Sequence, residues 1–338
     1  MSSLKSPYPW FGGKSKVTSL VWSRFGDVKN FCDPFLGSMA MLLGRPTPFV
    51  GYETVNDLDG FIANFWRAVK ADPLEVARYA DDFVNENELH SRHAWLVGQR
   101  ESLTTRLEGD PEFFDVKIAG WWVWGLSCWI GRGFCSGKGP WNVVEGENGF
   151  RKLVKSGNTG QGVWRQLIHL NGGQGVNRQQ IKTNGSAGLL AFFEALSARM
   201  VCVRVSSGDW SRVCGPTPTV VRGLTAVFLD PPYADTANRD NNLYAKDSLS
   251  VAHDVCKWAI AHGNDPDLRI ALCGYEGEHV MPESWDCVPW KSQGGYSSYS
   301  TIHDNLNARR ERIWFSPHCL NSTKQVKHSS QQELFGFA

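Results

Sequence analysis

The chain has 338 residues, 42% of them hydrophobic, with 35 Lys or Arg against 34 Asp or Glu. This suits one full α/β domain plus a smaller insertion; no apolar run is long enough to cross a bilayer, and at a net charge of +1 any contact with a polyanion must rest on locally concentrated basic residues. Nine cysteines, an odd number with no Cys-x-x-Cys pair and no leading signal peptide, point to a reduced cytosolic protein and away from a disulfide or zinc scaffold.

In chain order, Pro7-Tyr8-Pro9-Trp10-Phe11-Gly12-Gly13-Lys14-Ser15-Lys16 comes first. An apolar stretch then ends in Asp33-Pro34-Phe35-Leu36-Gly37-Ser38, which reads as a strand-to-helix turn on which a nucleotide-like cofactor rests, Gly37 letting the backbone approach closely. Asp57, in Asn56-Asp57-Leu58-Asp59, follows at about the twenty-residue spacing at which an acid takes ribose hydroxyls, with Glu53 in reserve. Leu58 to Ala71 is expected to be helical, since Phe61, Ile62, Phe65, Trp66 and Val69 fall at helical spacing.

Between about 72 and 186 the composition changes. His90 and His93 read as part of a polar helix face, with no third metal ligand nearby. Trp121 to Ile130 reads as a buried helix, with Trp121, Trp124 and Cys128 on one face and Trp122, Leu126 and Trp129 on another; a stacking surface for bases is the alternative. Cys128 and Cys135 are expected to be core thiols. From Gly131 to Gly185 there are eight Lys or Arg against two Glu. These cations, Arg132, Lys138, Arg151, Lys152, Lys155, Arg165, Arg178 and Lys182, lie in a glycine-rich stretch read as a segment that orders on DNA, the cations meeting phosphates and Asn or Gln reading base edges. A solvated loop is the alternative.

From Ala187 the α/β pattern returns: a helix over Leu189 to Arg199, a strand over Val201 to Val205, Ser207-Gly208-Asp209-Trp210, a strand over Ala226 to Leu229, a helix over Val251 to Ala261 and a strand over Arg269 to Cys273. Trp285 to Trp290 and Arg312 to Phe315 are short strand candidates. Ala234 to Leu249 is placed as a lid, Gln293 to Asn307 as a polar connection beside the active face, and Arg309, Arg310 and Arg312 either touch phosphates or form a charged strand start.

The strand over Ala226 to Leu229 runs directly into Asp230-Pro231-Pro232-Tyr233. A buried strand explains the apolar run, but not a carboxylate at its end, two prolines that stop the ladder and an aromatic at the edge. These groups meet the needs of methylating an exocyclic amine, whose lone pair is delocalised into the ring. The Asp230 carboxylate and the Pro231 carbonyl can accept from its two N–H bonds and localise that pair, Pro232 helps hold the carbonyl rigid, and Tyr233 offers a face on which an extruded base stacks.

Taken together and in order, these motifs resemble the D12-class, Dam-like DNA adenine-N6 methyltransferases over nearly the whole chain. The likeness is greatest to phage and prophage members, which share stretches like Glu53 to Arg67 and Trp121 to Gly131. The resemblance implies a Rossmann-like S-adenosylmethionine-dependent methyltransferase fold with a seven-stranded mixed sheet and an inserted DNA-recognition domain. It implies a cofactor half at 1–71, a target-recognition insert at 72–186, a catalytic half at 187–320 and a tail at 321–338, in a cytoplasmic, nucleoid-associated enzyme acting on double-stranded DNA. By the same resemblance, Trp10, Gly12, Gly13 and Lys14 form the N-terminal cofactor motif, with Asp33, Phe35, Gly37 and Ser38 in the turn. Asp57 is the ribose acid, and Asp209 accepts from the cofactor adenine with Trp210 beside its ring. Two residues depart from the family: Met39 replaces the second glycine of Phe-x-Gly-x-Gly, which predicts a less tight turn or a helix packed slightly away, and Pro9 replaces a lysine that touches a base, so GATC recognition does not carry over. N4-cytosine methylation, RNA methylation and a catalytically silent DNA-binding module are the alternatives.

The tail from Asn321 to Ser330 is polar and expected to be disordered, yet the chain ends Gln331-Gln332-Glu333-Leu334-Phe335-Gly336-Phe337-Ala338. Gln331, Leu334 and Phe335 resemble peptides that dock bacterial proteins onto the replication sliding clamp. The alternatives are a fold-back onto the catalytic domain and a chance match.

Overall fold

The computed structural model describes residues 4–8, 10, 13–129, 134–135, 141–145, 151–155, 186–233, 250–290 and 310–321. Gly12, the cations Arg132, Lys138, Arg165, Arg178 and Lys182, the lid segment, the connection with Arg309, and the tail with Gln331, Leu334 and Phe335 lie outside the described residues.

In chain order the elements are α1 (Thr18–Phe25), β1 (Asn30–Asp33), α2 (Ala40–Leu43), β2 (Tyr52–Asp57), α3 (Gly60–Ala71), α4 (Pro73–Ala80), α5 (Glu86–Gly109), α6 (Val116–Cys128), β3 (Trp141–Glu145), β4 (Arg151–Lys155), α7 (Ser186–Met200), β5 (Val203–Ser207), β6 (Thr225–Leu229), α8 (Val251–His262), β7 (Leu268–Tyr275), β8 (Asp286–Pro289) and β9 (Glu311–Phe315). Seven strands form one sheet in the order β5-β2-β1-β6-β7-β9-β8, parallel through β7 and antiparallel where β9 meets β7 and β8. This is the expected α/β architecture with a seven-stranded mixed sheet, consistent with a methyltransferase fold. The strands following β1 in sequence lie to one side of it, β2, and to the other, β6; open α/β sheets place ligands outside the carboxyl ends of the strands at such a reversal.

Strands β1 and β6 are buried along their whole length, because helices cover both faces. Alternation along β6 sends Ala226 and Phe228 into one apolar cluster, with α1 and α3, and Val227 and Leu229 into the other, with α8. Asp59 caps α3 by accepting from the Phe61 amide at 3.0 Å, so this helix begins at Gly60, two residues after the expected Leu58. Asp72, Asn85 and Asp115 cap α4, α5 and α6 in the same way. The α6 helix packs so closely on α4 that a Cβ at Gly120 would stand 2.3 Å from the Tyr79 Cβ. Trp122, Trp124 and Cys128 are core, whereas Trp121 is half-buried and meets Trp95 edge-on at 5.2 Å.

Several expectations are corrected. The fifth strand begins at Val203, not Val201, since α7 runs on to Met200 and Val201 and Cys202 form an exposed turn. The basic stretch is not loop throughout: β3 and β4 pair as an antiparallel ribbon, Glu145 opposite Arg151 and Trp141 opposite Lys155, which puts Arg151, Lys152 and Lys155 on a strand. His90 and His93 are not a polar helix face, for both are buried. The His93 ring stacks on Trp129 at 4.7 Å, its Nδ1 accepts from the Cys135 amide at 3.3 Å, and burial lowers its pKa to about 4, so it is a neutral core histidine. No His, Cys, Asp or Glu cluster among the described residues is arranged to hold a metal, and no described helix is long and apolar enough to cross a membrane. All nine cysteines are free, Cys128 and Cys135 both buried.

The turn at Met39 is also tighter than expected. Met39 adopts φ 60° and ψ 16°, the left-handed conformation a glycine would take there, and its side chain is wholly buried. The methionine therefore trades backbone strain for core volume. We expect Met39→Gly to be less stable than wild type, because losing a buried side chain costs about 2–5 kcal/mol and relief of strain returns only about 1–2 kcal/mol. Met39→Ala, which keeps the strain and loses the volume, should be less stable still. Denaturant melts giving the reverse order would show that the side chain contributes little.

Candidate active site

A cleft opens at the carboxyl edge of the sheet, where Asp209, Asp57, Asp33 and Asp230 stand at or just past the ends of the neighbouring strands β5, β2, β1 and β6. Trp10, Gly13, Lys14, Phe35, Gly37, Ser38, Trp210 and Pro232 complete much of its lining. All the expected cofactor residues except Gly12 therefore converge on one space. Tyr8 pins the N-terminal segment over it: its hydroxyl donates to the Gly37 carbonyl at 2.7 Å and accepts from Trp66 Nε1 at 3.1 Å. Gly37 has φ 47°, and a Cβ there would lie 2.7 Å from Trp10 Nε1, so glycine is required both by the turn and by the indole.

Asn56 ties the loops together, donating to the Pro34 carbonyl at 3.1 Å and the Gly208 carbonyl at 2.9 Å. Beside it, Asp57 accepts from the Gly37 amide at 3.0 Å through Oδ2 and from the Asp59 amide at 2.9 Å through Oδ1. Burial nevertheless pushes its carboxyl up to about 7. Asp33 is raised as well, first by burial and then by the charge of Asp230. At the other end, Phe35 and Trp210 stack at 6.4 Å, and Asp209 caps the short helical turn Trp210–Val213 through the Ser211 amide at 3.0 Å. Glu53 points elsewhere, into an ion-paired site with Arg45 and Arg199, so Asp57 alone of the two acids faces the cleft.

The Asp230 end of the cleft holds a contact not anticipated from the sequence. Lys14, 4% exposed, places its Nζ 2.8 Å from Asp230 Oδ1. Burial works against the ammonium, but Asp230 and Glu311 outweigh it and raise the Lys14 pKa. Burial raises the Asp230 pKa and Lys14 opposes that rise, favouring the carboxylate. The pair engages Oδ1 of Asp230. Tyr233 donates its hydroxyl to Glu311 Oε2 at 2.5 Å and meets the Tyr275 ring edge-on at 4.4 Å. Sequence reasoning gave roles to neither Tyr8, Asn56 nor Glu311. Arg312 pairs with Glu276 at 2.7 Å, which fits a charged strand start better than a phosphate contact.

No curated protein matches the chain. The family model for the D12 class N6 adenine-specific DNA methyltransferases matches residues 10–104. That span carries Trp10, Lys14, the β1 turn and Asp57, all of which line the cleft. Over these residues the chain is similar to the D12 class N6 adenine-specific DNA methyltransferases.

Proposed function

We propose that the protein transfers a methyl group from S-adenosylmethionine to N6 of an adenine extruded from duplex DNA. One observation carries this reading: Asp230 and Pro232 border the same cleft as Asp57 and Trp210, so a methyl donor and an exocyclic amine would meet in one space. The chain fits the donor on its own chemistry. Five aspartates edge the cleft and suit a ligand of positive charge, Asp57 is oriented by two amides to accept from hydroxyls, and the glycine at 37 leaves room beside the Trp10 ring. When bound, S-adenosylmethionine supplies an electrophilic methyl group on a sulfonium. Asp230 Oδ2 and the Pro231 carbonyl accept from the amine and draw its lone pair out of the ring, Lys14 favours the ionised form of Asp230 against the effect of burial, and the Tyr233 ring stacks on the base. Strand β4, carrying Arg151, Lys152 and Lys155 beside α5, is the part of the insert we assign to DNA phosphates.

The test is incubation of the full chain with methyl-labelled S-adenosylmethionine and duplex DNA, followed by mass analysis of the nucleosides. N6-methyladenine is expected; N4-methylcytosine, or label in RNA alone, would replace this reading.

Cofactor binding should depend on pH. Hydroxyls donate to the ionised form of Asp57, whose pKa lies at about 7, so affinity should be level well above pH 7 and fall as pH drops below it. The limiting slope is about tenfold per pH unit. Asp57→Asn should bind weakly and without this slope. Calorimetry at pH 6 and pH 8 giving equal wild-type affinities would remove Asp57 from the role.

A further inference from the structure

Glu311 opens β9 and lies opposite Tyr275 in register, 4% exposed, at the edge of the catalytic corner. A carboxylate is costly to bury, and an apolar residue would fill the same place without that cost. Its side chain instead meets a group of the proposed reaction. The Tyr233 hydroxyl donates to Oε2 at 2.5 Å, within the range of a charge-assisted O–H···O⁻ bond. Lys14, the partner of Asp230, lies with its Nζ 5.5 Å from the Tyr233 ring centroid and 5.6 Å from that of Trp290, and the Glu311 charge helps hold it protonated. Tyr233 is thus held at its hydroxyl and packed edge-on by Tyr275, two contacts that restrain its ring.

Resting on the methyltransferase reading, we propose that Glu311 is a positioning residue for methyl transfer, which locks the Tyr233 ring through its hydroxyl. It acts through that side chain and does not itself touch the substrate amine. Glu311 and Tyr233 should then behave as one unit, and the loss should fall on turnover more than on cofactor binding.

The experiment compares full-length wild type, Glu311→Leu, Glu311→Gln, Tyr233→Phe and the double variant Glu311→Leu with Tyr233→Phe. The measurements are kcat and KM for methyl transfer to duplex DNA, S-adenosylhomocysteine affinity by calorimetry, and fluorescence of DNA carrying 2-aminopurine at a methylated position. Glu311→Leu should lower kcat roughly ten- to hundredfold, the worth of a hydrogen bond to a charged group, with cofactor affinity within about threefold of wild type. Glu311→Gln, which retains an acceptor, should recover part of this. Tyr233→Phe should lose activity too, and the double variant should be little worse than the poorer single one. The 2-aminopurine signal should change in the Glu311 variants, which loss of stability alone would not produce. Wild-type kcat in Glu311→Leu, or losses that multiply in the double variant, would overturn the proposal. If Glu311→Leu fails to fold, wild-type kcat in both Glu311→Gln and Tyr233→Phe would overturn it equally. A wild-type chain that methylates nothing would instead sink the methyltransferase reading, and the proposal with it; active wild type with unaffected variants sinks the proposal alone.

Discussion

Asp230→Ala should lower the rate of methyl transfer about 10²–10³-fold, the usual cost of removing one preorganised group that acts on charge developing in the transition state. The Pro231 carbonyl would remain as a second acceptor, but the amine would lose the acceptor that carries charge. Cofactor affinity should change little, because Asp57 and the Phe35–Trp210 pair, at the β1, β2 and β5 side of the cleft, keep their hydrogen bonds and stacking. Lys14 would lose its 2.8 Å partner yet keep the charge of Glu311 nearby, so the fold should survive the change. Single-turnover transfer from labelled cofactor measures the first effect and calorimetry the second. Turnover within tenfold of wild type would show that Asp230 does not act on the amine.

The same corner shows what a sequence can and cannot disclose. Asp33, Asp57, Asp209 and Asp230 were legible because each ends or directly follows a strand and is followed by proline, glycine or a capped turn, all local signals. Glu311 was not legible. In the run Arg309-Arg310-Glu311-Arg312 it reads as one more charge at the start of a strand, and its partner Tyr233 is 78 residues away. Lys14 could be assigned to the cleft by its motif, but its pairing with Asp230 depends on the N-terminal segment crossing the carboxyl edge, which Tyr8 secures from 29 residues off. His90 and His93 misled for a related reason: α5 carries mainly polar residues, and what buries its histidines is Trp129 and Phe134 packing onto them from beyond α6. The ribbon at Trp141–Glu145 and Arg151–Lys155 was obscured by the glycines around it, and Met39 could not announce a left-handed backbone that its residue type disfavours.

Glu53→Ala should be the most destabilising single change outside the cleft, and it separates the two acids of β2. Glu53 Oε2 accepts from Arg199 Nη1 at 2.7 Å, while Oε1 accepts from Arg199 Nη2 at 2.8 Å and from Arg45 Nη1 at 3.1 Å. Both guanidinium groups also lie over the Phe49 ring, at 4.1 and 4.9 Å, and donate to carbonyls of Val28 and Leu42. The carboxylate thus joins the end of α7 to β2 and to the segment after α2. Removing it leaves two like charges facing each other with little access to water, a cost of about 3–5 kcal/mol. The melting temperature should fall by about 4–7 °C. Cofactor affinity and turnover per folded molecule should not change, since Glu53 does not line the cleft. The double variant Glu53→Leu with Arg199→Leu should regain much of the lost stability, because the second change removes one of the stranded charges. Thermal melts and calorimetry on both variants decide the matter: an unchanged melting temperature with weakened cofactor binding would make Glu53 the acid that takes the ribose, and would return Asp57 to the role of a turn residue.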